Sequence, residues 1–203
     1  MSKKSIIVFE GIEGTGKSHH INNVAKYLKK KNIKFIKIRE PGGSKNSEKI
    51  RKIILSNKST FNNYTDLLLY LAARSENIEL IKKNIGKKII LIDRFSDSTI
   101  AYQHFGMGIN LKFINNINNF LLKGINIDFT FLNTVNQKNM KNRLMKRKNL
   151  NRYDKFNYNF YNNVQKGFIK IYERKPKKYM KVNSNLSIEY NEKIILDKIS
   201  DLI

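Results

Sequence analysis

The sequence predicts an α/β fold in which five parallel strands form a sheet with helices on both faces. Short apolar runs of strand length alternate with longer segments of helical period, which is typical of a parallel sheet with helical crossovers. The 203 residues suffice for one substantial core, and they contain neither a Gly/Ser/Pro-rich linker nor an internal repeat. We therefore expect one three-layer domain over residues 1–203.

The predicted elements follow from the same alternation. The five apolar runs predicted as strands are residues 5–9, 34–38, 88–92, 128–132 and 179–183. The first helix follows the first strand, because Ile21, Val24, Ala25 and Leu28 recur at i, i+3, i+4 and i+7. Further helices are predicted at about 45–55, 65–84, 97–104, 111–122, 136–146, 154–173 and 191–203. The basic stretch 141–155 has few apolar residues and is predicted to be a short, mobile lid.

Composition excludes several classes of function. The absence of cysteine rules out disulfides, thiolate catalysis and Cys-based zinc sites. The first apolar run has five residues and no run approaches about eighteen, so neither a signal peptide nor a membrane span is predicted and we expect a cytoplasmic location. The net charge of +24 would attract any polyanion, but the lysines are spread along the chain, which favours compositional drift over a dedicated surface.

A phosphate-binding loop is predicted at residues 11–18, GIEGTGKS. It follows a predicted strand and opens a helix, so backbone N–H groups and the helix dipole would face phosphate oxygens. Lys17 would reach the β and γ phosphates, and the Ser18 hydroxyl would ligate Mg²⁺. The residues expected to bind ATP are Gly11, Ile12, Glu13, Gly14, Thr15, Gly16, Lys17 and Ser18. The predicted fold is therefore of the P-loop NTPase type.

Other polar residues are placed to form a second substrate site. Tyr70 and Arg74 lie one helical turn apart and can face one small ligand. Taken without the other motifs, core packing for Tyr70 and a solvated helix charge for Arg74 would be the favoured interpretation. Asp93 and Arg94 follow a strand at the end where open α/β sheets bind ligands, so Asp93 can hold magnesium and Arg94 a phosphate; a surface ion pair is the alternative.

A second set follows in the next helix, where Thr99, Tyr102 and Gln103 share a face at i, i+3 and i+4. Glu13, a carboxylate among phosphates, is better explained by function than by structure, since its charge is costly there without a metal or a hydroxyl partner.

Further motifs follow the phosphate loop. IIVFEGIEGTGKS is followed by REPGG at 39–43, EKIR at 48–51, LLLYLAAR at 67–74 and DRFSDSTIAYQ at 93–103. In their order and spacing these motifs together resemble the thymidylate kinase family, whose members phosphorylate dTMP to dTDP. A weaker likeness continues to about residue 173. The resemblance implies ATP and dTMP as substrates, Mg²⁺ as cofactor, a role in dTTP synthesis and a homodimer, with no membrane or specific nucleic-acid partner.

The resemblance also implies individual roles at the dTMP site. Tyr70 would stack on thymine and Arg74 contact the base or the acceptor phosphate; Arg94 would bridge that phosphate and the transferred group. Tyr102 would crowd the sugar 2′ position, and Thr99 or Gln103 would bind the base. Glu13 would approach the acceptor 3′-hydroxyl or the metal. Additional contacts are implied for Arg39, Arg51 and Ser98.

Catalytic charge is expected from Lys17, Arg94 and the lid. In family members whose phosphate loop lacks an internal arginine, the lid supplies the catalytic arginine. The phosphate loop of this chain has no internal arginine, so the resemblance implies that its lid does so too. Arg147 and Arg152 are the catalytic candidates, with Arg152 the closest match and Arg143 one turn before Arg147. Two positions depart from the family pattern: Asn151 replaces the usual Asp, and the Gly-Arg-Gly that often follows Ala-Tyr-Gln is Gly106, Met107 and Gly108.

No general base is expected, because the acceptor is a phosphate monoester that is already largely dianionic at neutral pH. Catalysis then consists of aligning two anions and neutralising charge. Two alternatives stay open. The chain could be another nucleoside monophosphate or deoxynucleoside kinase, or a P-loop ATPase stimulated by nucleic acid.

Overall fold

The sheet has five parallel strands, as predicted. The computed structural model describes residues 4–203. The strands are β1 (Ile6–Glu10), β2 (Phe35–Arg39), β3 (Ile89–Asp93), β4 (Phe129–Thr134) and β5 (Tyr179–Asn183). Their order is β2-β3-β1-β4-β5, and Ile7 at the centre pairs with Leu91 of β3 and Phe129 of β4. All of β1 is buried, which is typical of the central strand of a parallel sheet.

Helices connect the strands and cover the sheet. The α-helices are α1 (Lys17–Lys30), α2 (Lys45–Leu55), α3 (Asn63–Asn84), α4 (Ser96–Thr99), α5 (Leu111–Leu121), α6 (Gln137–Met145), α7 (Tyr158–Arg174) and α8 (Ile188–Leu202). A π-helix at Ile100–Gly106 continues α4, and short 3₁₀ helices lie at Arg152–Lys155 and Pro176–Lys178. Within residues 4–203, none of the helices combines the length and the apolar character that crossing a bilayer requires.

Two apolar layers hold the sheet between its helices. On one face, Ile7 and Phe9 of β1 pack with Val24 of α1 and Ile195 of α8. On the other face, Ile6 and Val8 of the same strand pack with residues that include Ile78 and Ile81 of α3. Alternate residues of β1 therefore pack in opposite layers, because successive side chains of a strand point to opposite faces of the sheet. This arrangement confirms the predicted three-layer α/β fold.

Three predicted helix boundaries were wrong, in each case because of local capping. Asn62 is the N-cap of α3, which begins at Asn63, because its side chain accepts a hydrogen bond from the backbone N–H of Thr65. Ser187 caps α8 in the same way, so that helix begins at Ile188. The helix predicted at 154–173 begins at Tyr158. The residues before it form a separate 3₁₀ turn, since Asn151 and Asp154 satisfy each other's backbone N–H groups in a capping box.

The helix predicted at 97–104 is mostly π-helical. Regular α-helix covers only Ser96–Thr99, and Ile100–Gly106 then widens to i→i+5 hydrogen bonding, as in the bond from Met107 N–H to the Tyr102 carbonyl. Apolar periodicity does not distinguish the two helix types. π-Helical segments occur frequently at functional sites.

Candidate active site

A cavity of about 790 Å³ lies where β1, β2 and β3 end, a size usual for small-molecule sites. The predicted residues that line it are Glu13, Gly14, Thr15, Gly16, Lys17, Ser18, Arg39, Arg51, Tyr70, Arg74, Asp93, Arg94, Ser98, Thr99, Tyr102, Gln103 and Arg147. Gly11, Ile12 and Arg152 are not part of the lining. The phosphate loop and the predicted acceptor residues thus share one cavity.

The phosphate loop connects β1 directly to α1. Gly11 has a φ of 134°, and a Cβ at this position would lie 2.1 Å from the carbonyl oxygen of Asn133 in β4. Only glycine fits such an approach to a neighbouring strand. The Thr15 hydroxyl donates to the Ile12 carbonyl at 2.8 Å and fixes the turn.

The Lys17 side chain packs against the phosphate loop. Its ammonium group donates to the carbonyls of Gly11 and Ile12, both at 2.7 Å, and to the Thr15 hydroxyl at 3.2 Å. Burial, followed by the nearby positive charge of Arg94, lowers the pKa of Lys17 to about 7. An anionic phosphate beside this group would favour its charged form.

Ser18 and Asp93 form an oxygen pair at the mouth of the loop. The Ser18 hydroxyl donates to the Asp93 carboxylate at 3.0 Å. Mg²⁺ prefers oxygen ligands and is usually held by one or two protein groups together with waters and phosphates. Among residues 4–203 there is no cluster of three or more His, Cys, Asp or Glu suited to a metal. A hydroxyl and one carboxylate fit a magnesium ion that arrives with a nucleotide.

Arg94 joins the phosphate loop to the acceptor side. Its guanidinium donates to the Gly11 carbonyl at 2.7 Å and to the Glu13 carboxylate at 2.8 Å, and it lies 5.1 Å from the ring centre of Tyr102. Its backbone has a φ of 66°, which is rare for a non-glycine residue and common at functional sites. Burial opposes the charge of Arg94, but Tyr102 and the neighbouring carboxylates of Glu13, Asp93 and Glu10 hold its pKa above the usual value.

Glu13 organises two acceptor residues at once. One carboxylate oxygen accepts from Arg94 and the other from the Tyr102 hydroxyl. Burial opposes the charge on this carboxylate, but Arg94 and Lys17 hold its pKa below the usual value. That Glu13 approaches the acceptor 3′-hydroxyl or the metal stays a prediction.

Glu10 holds the segment that carries Arg94, a role that the sequence did not reveal. Its carboxylate accepts from the backbone N–H of Phe95 at 2.8 Å and of Ser98 at 3.2 Å, and from the Ser98 hydroxyl at 2.5 Å. Burial, together with the charge of Asp97, raises the pKa of Glu10 to about 7. Ser98 is therefore occupied by the protein, although it also lines the cavity.

Arg74 is neither solvated nor free to move. It is 2% exposed, its Nε donates to Glu40 at 2.8 Å, and its Nη1 donates to Asn118 at 2.8 Å. The guanidinium also stacks 5.2 Å from the ring centre of Phe95. The alternative of a solvated helix charge is wrong for this residue. Tyr70, one turn away, lies at the cavity wall with its ring edge-on to Tyr153.

Arg39 and Arg51 reach the cavity from the β2 side. Arg39 makes a two-bond pair with Glu48, at 3.0 and 2.8 Å, and Arg51 donates to the Pro41 carbonyl at 2.6 Å. The Arg39–Glu48 pair is exposed, so its bonds are easily exchanged for bonds to a ligand. Their role at the acceptor stays a prediction.

The lid arginines face different directions. Arg147 lines the cavity while its guanidinium donates to Asp154 at 2.6 Å. Arg152 is bound to the Asp66 carboxylate and to the Ile54 carbonyl at 2.9 Å, outside the cavity lining. The geometry therefore favours Arg147 over Arg152 for contact with a substrate held in this conformation.

Three further residues belong to the site. Arg143 lines the cavity and donates to the carbonyls of Gly14 and Ser184, at 2.9 and 2.7 Å. Tyr153 lines the cavity between Tyr70 and Tyr102, with ring centres 5.8 and 6.0 Å away. Asp66 binds the lid from α3. Arg143 was noted in the sequence because it lies one helical turn before Arg147, but no pattern in the sequence singled out Tyr153 or Asp66.

Comparisons with known proteins identify one family. The family model described as thymidylate kinase matches residues 9–195. The thymidylate kinase of Thermosipho africanus is 40% identical over 167 residues, covering 81% of this chain and 83% of its own. That of Acholeplasma laidlawii is 38% identical over 200 residues, covering 95% and 97%. The crystal structure of thymidylate kinase from Ehrlichia chaffeensis superposes with a TM-score of 0.79 at 27% identity, covering 98% of this chain and 99% of the other.

Proposed function

Because this chain belongs to the thymidylate kinase family, we propose that it transfers the γ-phosphoryl group of ATP to dTMP and forms dTDP. The observation that best supports this reaction is the position of Arg94. The guanidinium contacts the phosphate loop at Gly11 and Glu13 and lies against the ring of Tyr102 on the acceptor side. A cation between two phosphate sites suits a transfer between them.

The residues suit transfer by positioning and charge neutralisation. Lys17 and the loop N–H groups would hold the donor phosphates, and Arg94 would hold the acceptor phosphate in line. The dianionic acceptor is itself the nucleophile, so no side chain has to remove a proton. Ser18 and Asp93 would hold Mg²⁺, which when bound supplies charge neutralisation at the donor phosphates.

The acceptor base and sugar would occupy the other half of the cavity. Tyr70 and Tyr153 provide aromatic surfaces, while Arg74, Thr99 and Gln103 provide polar groups. Arg39 and Arg51 would add charge at the acceptor phosphate. Arg143, beside Gly14, would contact the donor nucleotide.

A panel of acceptors tests the proposal. With ATP and Mg²⁺, dTMP is expected to have the highest kcat/KM among dTMP, dUMP, UMP, CMP and AMP, with one dTDP formed per ADP. Faster phosphorylation of AMP or CMP would assign the chain to another acceptor. ADP release that requires DNA or RNA and yields no nucleoside diphosphate from the acceptor would instead indicate a nucleic-acid-stimulated ATPase.

Tyr102→Phe is expected to weaken discrimination against ribose. The Tyr102 hydroxyl is held by Glu13, so its loss frees space beside the sugar while the ring remains. One small group in a pocket changes selectivity by roughly tenfold or more. The ratio of kcat/KM for dTMP to that for ribothymidine 5′-monophosphate should fall by about this factor. Tyr190→Phe, on the exposed face of α8, is the matched control; an unchanged ratio in Tyr102→Phe would remove the residue from this role.

Arg147→Ala is expected to lower kcat more than Arg152→Ala. Both arginines remain catalytic candidates, but only Arg147 lines the cavity, and removing one preorganised charge costs roughly a hundredfold or more in kcat. Steady-state kinetics with saturating ATP and dTMP would compare the two variants. The reverse order would mean that the lid rearranges to bring Arg152 to the phosphates.

The homodimer and the cytoplasmic location stay predictions from the sequence and the family resemblance. The absence of a specific nucleic-acid partner also stays a prediction.

A further inference from the structure

Asp66 is a buried carboxylate that contacts the acceptor site and the lid together. It lies in the first turn of α3 and is 1% exposed. One oxygen accepts from the Arg152 guanidinium, and the other accepts from the Tyr153 hydroxyl and, at 3.4 Å, from the Gln103 amide nitrogen. Its three partners therefore come from two separate parts of the chain, the lid and the π-helix after α4.

The chemistry of these partners fixes the orientation of the Gln103 amide. An ionised carboxylate only accepts hydrogen bonds, so the –NH₂ end of the amide must face Asp66. The carbonyl end is left to accept from a ligand, and Gln103 lines the cavity although it is only 1% exposed. The contact between Gln103 and Asp66 is buried, so an amide turned the other way would set oxygen against oxygen with no water to separate them.

We propose that Asp66 is a positioning residue that selects the acceptor base. It presents the carbonyl oxygen of Gln103 to the cavity and anchors Arg152 and Tyr153 of the lid in the same contact. This inference rests on the proposed function. A carbonyl acceptor matches a base with an N3–H donor, such as thymine or uracil, and opposes cytosine, whose N3 is itself an acceptor.

The contacts of Asp66 with Arg152 and Tyr153 also hold the lid against the acceptor pocket. Arg152 is held additionally by the Ile54 carbonyl and by the Phe61 ring, whose centre is 5.5 Å away. Tyr153, held by Asp66, presents its ring to Tyr70 and Tyr102 at the cavity wall. The carboxylate that orients the amide thus also holds an aromatic wall of the acceptor pocket.

Asp66→Asn tests the proposal because asparagine can donate as well as accept and so permits either amide orientation. The ratio of kcat/KM for dTMP to that for dCMP is expected to fall by roughly tenfold to a hundredfold, the usual effect of losing a hydrogen bond to a charged group. The loss should appear mainly in KM for dTMP, with KM for ATP unchanged. Glu79→Gln, an exposed acid-to-amide change on the same helix, should keep the wild-type ratio.

Limited trypsin digestion measures, independently of activity, how firmly the lid is held. Lys146, Arg147 and Lys148 are exposed, and cleavage after them should be faster in Asp66→Asn and in Arg152→Ala. Arg152→Ala breaks only the lid contact, so it should leave the dTMP/dCMP ratio within about threefold of wild type, a difference smaller than that expected from a lost charged hydrogen bond.

An unchanged dTMP/dCMP ratio in folded Asp66→Asn would overturn the proposal. If this variant does not fold, Gln103→Met keeps the shape of the side chain and removes the amide; a wild-type ratio in that variant would equally overturn it. Wild-type enzyme that does not phosphorylate dTMP at all would instead refute the proposed function, so the two failures are distinguishable.

Discussion

Lys17→Ala is expected to lower kcat/KM for dTMP phosphorylation by roughly a thousandfold, within the range found when one preorganised cationic group is removed from a transferring phosphoryl group. Lys17 is 6% exposed, and its ammonium group donates to the loop carbonyls of Gly11 and Ile12. Alanine leaves those carbonyls facing the donor phosphates without an intervening positive charge. Both kcat and KM for ATP should deteriorate, since the lysine would contact the nucleotide before and during transfer.

The fold should survive this change. Burial already lowers the pKa of Lys17 to about 7, so the folded protein gains little from its charge. Thermal unfolding monitored by circular dichroism should give a Tm close to that of wild type. Lys29→Ala, an exposed lysine on the same helix, is the matched control and should retain full activity. Full activity in Lys17→Ala would refute the assignment of the phosphate loop.

The sheet and its order of elements could be predicted because local signals were strong. Each strand is a short apolar run, and β1 and β3 are buried along nearly their whole length. The phosphate loop combined glycine spacing with a strand before it and a helix after it. Those signals depend on residues near each other in the sequence, which is why they could be recognised.

The ends of the helices were harder to predict because capping competes with periodicity. Asn62 and Ser187 each begin a helix one or more residues before the apolar pattern does. The π-helix at Ile100–Gly106 has a similar origin, since side-chain patterns do not reveal which carbonyl a backbone N–H selects.

Most of the predicted site residues line one cavity, but the contacts between them could not be predicted. Arg94 and Glu13 were both identified, yet their ion pair joins residues 81 positions apart and has no signature in the sequence. Asp66 was absent from the predicted site for the same reason, because its partners lie 37 to 87 positions away. The most informative contacts are long-range ones between side chains that looked ordinary in isolation.

Arg94→Ala is expected to lower kcat by about a thousandfold, the scale on which an arginine contributes to phosphoryl transfer. The guanidinium is the one cationic group among the described residues that contacts both the Gly11 carbonyl and the Glu13 carboxylate. Its removal takes the positive charge away from the junction of the two proposed phosphate positions. It also leaves the Glu13 carboxylate held by the Tyr102 hydroxyl without its ion-pair partner, so the acceptor side is less well fixed and KM for dTMP should rise as well.

Stability should be measured together with activity, because Arg94→Ala leaves Glu13 in a partly buried position without its ion-pair partner. Breaking a fully buried pair costs about 3 kcal/mol or more, and this pair is only partly buried, so a smaller loss of stability and a lowered Tm are expected. Arg94→Lys separates the two effects: it keeps the charge and most of the stability but loses the two-bond geometry, and its kcat should fall between those of Arg94→Ala and wild type. Arg174→Ala, an exposed arginine at the end of α7, controls for the general loss of positive charge. If folded Arg94→Ala turned over dTMP at the wild-type rate, the residue would be a structural partner of Glu13, and the charge at the transferred group would have to come from the lid alone.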